Sequence, residues 1–384
     1  MTPEIPLRHA WVEINLRAIE HNTRRLREII GAQTELMAVV KANAYGHGAI
    51  EVARAATRAG AQWLGVFTVG EGIELRRAEI DAPILVMGPT PPRWASEGVA
   101  HNLAFNIFTR ASVDAISDAA RELRTRARVH IKIDTGLTRL GVLPDDALDF
   151  ARAVQHLPNI EIEGVFTHFA ASDEPDARGI ENFGRAYTQK QLDAFQRARD
   201  EFARAGIAPR YAHAANSPAA LDLPAARFNL VRSGVLLYGL DPSPDAPRPR
   251  DFLPALEFKT EIALIKAVPR GAFAGYGCAF ETTRASRLAI ILAGYADGLR
   301  RQPENYGEVL VRGQRAPIVG RVAMDQAMVD VTDIADARAG DEVVLIGAQG
   351  KEKISAEEVA KNLETNNYET VTTISARVER RYTY

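Results

Sequence analysis

Residues 36–48 read LMAVVKANAYGHG. An apolar run ends in Lys41, and small residues, Tyr45 and His47 follow. Taken alone, a strand can end in a charged residue simply because the chain has reached solvent. The stretch still bears on the fold. A doubly wound open sheet carries a glycine-rich first turn, and KANAYGHG is not G-x-G-x-x-G. Further along, seven more short apolar runs follow at intervals: WLGVFTV, PILVMG, LAFNIF, RVHIKID, IEGVFTHF, RYAHAA and FNLVR. Between them lie stretches of helical period, near 48–60, 70–78, 110–124, 144–156 and 185–205. Eight alternating units over one continuous span predict an N-terminal (β/α)8 barrel of the TIM type.

After residue 240 the character changes. DPSPDAPRPRDFLP is rich in proline and polar residues and reads as a domain junction. Beyond it KTEIALIKAV, SRLAIILAGY, GEVLVRGQRAPIVGRV, AMVDVTDI and DEVVLIG alternate and are punctuated by glycine, as in a mainly antiparallel β domain with one helix near 355–364. The expected domains are therefore 11–242 and 243–384, with residues 1–10 a candidate addition to the second.

Composition agrees. The 384 residues are 46% hydrophobic and 25% charged, which suits a globular chain of about two domains at ~100–200 residues each. A net charge of −2 gives no basic surface for nucleic acid. The N-terminus lacks the basic and apolar regions of a secretory signal, and no apolar run approaches the ~18 residues of a membrane span. A single cysteine, Cys278, excludes an intramolecular disulfide framework and a zinc ribbon. The cytoplasm is the expected compartment, with no metal and no membrane partner.

In a barrel the reactive groups sit at the C-terminal ends of the strands. By that rule Lys41, Lys132 with Asp134, His168, and Arg232 converge on one rim, and Asn216, Ser217 and Gly234 lie in the last two loops. Each has a bland alternative. Lys132 could be a solvated strand position, His168 a satisfied core histidine, and Arg232 the partner of a nearby acid. Their coincidence on one rim is the stronger signal. The loops after strands seven and eight are the usual phosphate site of such barrels. Ser217 and the backbone of Ser233–Val235 supply a cup there, and a lysine across the mouth suits the aldehyde of pyridoxal phosphate.

AVVKANAYGHG resembles the cofactor-lysine motif of the alanine racemase family. The resemblance continues through IKIDTGLTRLG, GVFTHFAASD, HAANSPAAL, NLVRSGVLLYGL, AGYGCAFE, GYADGLRR and GRVAMDQAMVDVTD, in order over nearly the whole chain. It implies a pyridoxal-phosphate-dependent racemase that interconverts L- and D-alanine by two bases and supplies D-alanine for peptidoglycan. It also implies a homodimer whose sites are shared between subunits. On matching positions, Lys41 binds the cofactor and is one base, and Tyr276 of the partner copy is the other. Arg232 faces the pyridine nitrogen with His168 behind it. Tyr45, Ser217, Gly234 and Val235 hold the phosphate. Arg139 and Met324 meet the substrate, and Lys132 is carbamylated. Arg301, Arg321 and Asp173 line the entry path, and Cys278 is a packing residue. One position departs: Ala376, in ISAR, stands where many relatives have tyrosine. That leaves room for a larger substrate such as serine, and Tyr382 is the nearest candidate to compensate. Alternative readings are a broader alanine/serine racemase, a non-catalytic pyridoxal-phosphate carrier, which would need no second base, and a cofactor-free aldolase-type barrel.

Overall fold

The computed structural model describes residues 9–301 and 305–384. Two compact units emerge. One comprises residues 18–44 and 49–253; the other comprises the described residues up to Arg17, residues 45–48, and 254–384.

The first unit is a near-closed barrel of eight parallel strands. In order these are Glu35–Val39, Trp63–Val66, Ile84–Val86, Ala104–Ile107, Ala127–Lys132, Ile160–Phe166, Tyr211–His213 and Leu230–Ser233. Each pairs with the next, except that strand eight pairs back onto strand one. Their buried Val, Ile and Leu residues give the continuous apolar runs of strands covered on both faces. Inside, Met37, Trp63, Leu85, Ala104, Tyr211 and Leu230 form one packed cluster. Among the described residues no ladder joins strands seven and eight. That seam is bridged by Arg232, whose backbone N–H donates to Ala215 O at 3.0 Å.

Helices follow the strands at Ala49–Arg58, Val69–Arg77, Ala95–Ala100, Arg110–Glu122, Ala147–Gln155, Phe183–Arg204 and Ser217–Asp222. Side-chain caps start several of them. Thr68 and Glu71 form a reciprocal capping box on the second. A further helix, Leu16–Ile30, precedes the barrel; the sequence reading had not assigned it.

The second unit holds a nine-stranded sheet. Within it Leu256–Val268, Glu342–Gln349, Glu308–Val311, Gln314–Val319, Ala327–Asp330 and Ser286–Ile291 pair in a closed ring, all antiparallel. Two short helices, Ala356–Asn362 and Asn367–Thr372, replace the single one expected.

The unit boundaries differ from the sequence expectation of 11–242 and 243–384. Trp11–Asn15 is a strand of the antiparallel sheet, paired with Leu256–Lys259 and, in parallel, with Glu379–Thr383. The proline-rich stretch stays with the barrel through Leu253 because side chains of the first helix clamp it. Asn22 Nδ2 donates to Leu253 O and its Oδ1 accepts from Leu253 N, both at 2.8 Å. Arg25 Nε meets Asp251 at 2.7 Å. The suggestion that residues 1–10 join the β unit falls largely on residues 1–8, which lie outside the described residues.

Candidate active site

Lys41 follows the first barrel strand, and the chain then does something uncommon. Ala42, Asn43, Ala44 and Tyr45 all have φ between 52° and 54°, a left-handed turn built without glycine. L-residues disfavour that conformation by roughly 1–2 kcal/mol each, so surrounding bonds must hold it. Ala42 N donates to Glu71 Oε1 at 2.8 Å, while Glu71 Oε2 accepts from Phe67 N and Thr68 N. Asn43 Oδ1 accepts from Ala49 N, also at 2.8 Å. Glu71 thus serves as both helix cap and brace, at the neighbouring strand's end. Burial and the charge of Arg139 lower the Lys41 pKa, and Glu71 opposes them.

Opposite the braced turn the rim is cationic. Lys132 Nζ lies 5.1 Å and Arg232 Cζ 5.3 Å from the centre of the Phe166 ring. Burial, reinforced by Arg232 and Arg139 and only partly offset by Asp134, brings the Lys132 pKa down to about 7. Arg139 is exposed on a loop shaped by Asp134, whose carboxylate accepts from the backbone N–H groups of Gly136, Thr138 and Arg139.

Arg232 is 4% exposed. Its Nη1 donates to His213 Nδ1 at 2.8 Å and His213 O at 2.9 Å. Its Nη2 donates to Thr167 O and Ala214 O and lies 3.3 Å from His168 Nδ1. Burial pulls its pKa down to about 9, so it stays charged at neutral pH. Nε alone has no hydrogen-bond partner among the described residues. A donor left over on a buried, otherwise saturated guanidinium fits an acceptor such as a pyridine nitrogen. His168 is neutral: burial first, then Arg232, Lys132, Arg139 and Lys41, hold its pKa well below the usual histidine range.

Beside it, Ser217 Oγ lies 3.0 Å from Ser233 Oγ and accepts from Gly234 N at 3.1 Å. Two hydroxyls and a backbone N–H within that reach fit a phosphate, and Val235 follows them, buried. Tyr45 is half-buried and its ring centre lies 6.1 Å from that of Tyr368. Burial pushes its phenol up to about 12, which keeps its proton available for donation.

In the β unit, Tyr276 is 66% exposed on a turn between the two-residue strands Phe273–Ala274 and Phe280–Glu281. Gly275, Gly277 and Cys278 have positive φ there, and a Cβ on Gly277 would meet Arg321 Nη1 at 2.6 Å. Cys278 is exposed rather than packed. Arg301 and Arg321 share a cleft of about 680 Å³ with Ala279 and Phe280. Met324 is exposed, and its carbonyl accepts from Ala296 N at 2.9 Å. Arg377 joins three motifs, with Nε on Asp297 of GYADG and Nη2 on Asp325 of AMDQ, each at 2.7 Å. Its neighbour Ala376 is exposed. Tyr382 directs its hydroxyl at Gly48, where a Cβ would collide with it.

The structure therefore brings Lys41, Lys132, Arg139, His168, Ser217, Arg232, Gly234 and Val235 into the barrel unit, and Tyr45, Tyr276 and Met324 into the other. Sequence reasoning missed Glu71, His213 and Arg377. Thr68-x-x-Glu71 is a legible capping box, but the other two had no signal beyond their residue types.

Comparison with known proteins covers nearly the whole chain. Residues 14–242 match the model of the alanine racemase N-terminal domain and residues 255–382 that of the C-terminal domain. An alanine racemase of Symbiobacterium thermophilum is 45% identical over 98% of this chain and 97% of its own length. One from Methanococcus maripaludis is 40% identical over 97% and 98%. The crystal structure of alanine racemase from Streptomyces lavendulae, a producer of D-cycloserine, superposes with a TM-score of 0.92 at 39% identity, covering 99% of this chain and 98% of that one. That from Bacillus anthracis, with bound L-Ala-P, gives 0.90 at 39% over 98% and 95%.

Proposed function

The chain belongs to the alanine racemase family, and on that premise we propose how its own residues carry out the reaction. The family is pyridoxal-phosphate-dependent, and the reaction is the interconversion of L- and D-alanine. When bound, the cofactor supplies an electron sink that makes the α proton of the amino acid acidic. The observation that carries our assignment is the rim itself: a lysine of lowered pKa, a leftover Arg232 Nε donor and a two-serine cup, all on one barrel unit.

Lys41 holds the cofactor. Displaced by substrate, its amine is free to take or return a proton on the D-alanine face. Arg232 Nε would donate to the ring nitrogen and, being donor-only, would keep that nitrogen unprotonated. That would disfavour transamination. Ser217, Gly234, Val235 and Tyr45 bind the phosphate. Arg139 and Met324 position substrate. Lys132, with a pKa near 7, presents a free amine to carbon dioxide. The nitrogen lone pair forms the N–C bond, a proton leaves to solvent, and the resulting carbamate anion faces Arg139.

Tyr276 Oη serves the L-alanine face. Its exposure on the β unit suits delivery to a second copy's barrel, in a two-fold dimer whose sites are each completed by the partner. D-alanine made this way feeds peptidoglycan. Ala376, small and exposed, favours a secondary activity on serine. Cyanoborohydride reduction followed by peptide mapping tests the assignment: a pyridoxyl adduct on Lys41 is expected, with loss of the circular-dichroism change that L-alanine otherwise undergoes. An adduct elsewhere, or none with activity intact, overturns it.

A further inference from the structure

Barrel strand six contains one residue too many. Val129 pairs with Ile162, but His130 pairs with Gly164, so Glu163 is the extra residue of a bulge. Bulges re-aim a side chain that alternation would place on the other face. Here the bulge gives a carboxylate that is 6% exposed, with Oε2 lying 3.4 Å from His130 Nε2. Gly164 makes room for this, since a Cβ there would collide with His130 Nδ1. His130 is fully buried, edge-on to Trp63 and stacked on Tyr211. Its Nδ1 lies 2.9 Å from Nε2 of His213, also fully buried, and His213 Nδ1 lies 2.8 Å from Arg232 Nη1.

The proton directions along this chain follow from its two ends. A guanidinium only donates, so His213 Nδ1 must accept and its proton must sit on Nε2. That proton is donated to His130 Nδ1, which places the His130 proton on Nε2, aimed at a carboxylate that only accepts. One arrangement satisfies all three links, with both imidazoles neutral. Reversing either ring would set two donors or two acceptors against each other. Burial above all lowers both histidine pKa values. For His130, Arg128 and Arg232 add to it while Glu163 opposes it; for His213, Arg232, His130 and Lys132 all add to it.

We propose that Glu163 is a remote positioning residue for Arg232, acting through the ordered pair His130–His213. The guanidinium has no carboxylate of its own among the described residues. The relay gives it one at a distance and fixes Nη1, so that Nε keeps its direction. Arg128 Nη1, 3.6 Å from Glu163 Oε1, holds the far end. The functional part of this proposal rests on the assignment of Arg232 to the cofactor ring. The structural part does not, and the two are tested separately.

Long-range proton–nitrogen correlation spectra of the cofactor-free protein read the tautomers directly. Both histidines are expected to be neutral with the proton on Nε2 from about pH 6 to 9. Glu163→Gln, which keeps an acceptor, should preserve both tautomers, and Glu163→Leu should release His130 into a mixture. A proton on Nδ1 of either ring in the wild type, or a charged imidazolium in that range, overturns the relay whatever Arg232 does. In the loaded enzyme, Glu163→Leu should lower kcat on the order of tenfold with KM for alanine held, the size seen for outer partners of a site. Glu163→Gln should recover most of that loss. If the tautomers are as stated but kcat in Glu163→Leu stays within about twofold of wild type, the relay is core packing only and the positioning role is overturned.

Discussion

Arg232 is 4% exposed and Tyr276 is 66% exposed, and the two are held by different means. On the barrel rim, charge sits out of water. The two Nη groups of Arg232 are saturated by three carbonyls and two histidines, Lys132 is pushed toward neutrality, and Lys41 shares its surroundings with Arg139. On the β unit Tyr276 and Met324 stand in solvent, with Arg321 packed behind the Tyr276 turn and Arg377 between Asp297 and Asp325. A buried half-site tunes its groups by desolvation and neighbouring charge. An exposed half-site leaves its tyrosine in solvent until something covers it. The phenol needs nearby positive charge to act as a base at neutral pH, and in this account the barrel rim of a second copy provides it.

Removing the hydroxyl proposed as the second base probes the contrast most severely. Tyr276→Phe is expected to cut racemisation by ~10²- to 10⁴-fold, the range for a positioned acid–base group. Because Lys41 remains, the α proton of D-alanine should still exchange in deuterium oxide while that of L-alanine does not. Loss of exchange for both enantiomers would show that the two halves do not divide the faces between them. On the buried side, Arg232→Glu is expected to keep the cofactor, lose most racemase activity and form pyruvate. Full activity without pyruvate would contradict the role given to the donor-only guanidinium.

A gentler test concerns Lys132. With its pKa near 7, the fraction of free amine rises as pH increases through that value and falls below it. Labelled bicarbonate should therefore mark Lys132 increasingly above neutrality, read as a carbamate resonance absent in Lys132→Gln. A pH-independent or missing signal would sink the modification. The smallest effect is expected from Ala376→Tyr, which should lower the ratio of serine to alanine racemisation. An unchanged ratio would mean that this position does not shape the pocket.

Much of the barrel half was legible because strand ends in an α/β barrel are where polar residues matter, and although Lys132 and Arg232 each had a bland reading alone, their coincidence on one rim marked them. What stayed hidden depended on breaks in that pattern. Glu163 reads as an outward strand residue until the bulge turns it inward. The left-handed turn at 42–45 contains no glycine to announce it. Trp11–Asn15 looks like the start of a barrel, yet its parallel partner is Glu379–Thr383 at the far end of the chain. No local period can report a pairing that distant. Asn22 clamps Leu253 in the same non-local way, so the compact unit runs on past the junction that composition marks.

The central claim is that the base exposed on one chain's β unit serves the barrel of another. Mixing Lys41→Ala with Tyr276→Phe tests it directly. On the shared-site account, each variant alone forms homodimers in which every site lacks one base. After random subunit exchange of equal amounts, half the dimers are mixed, and in each of those one site carries both lesions and the other neither. Activity should then recover to about a quarter of wild type, by two-fold symmetry. If Lys41 and Tyr276 act within the same chain, every site keeps a lesion, mixing restores nothing, and the shared-site account is contradicted.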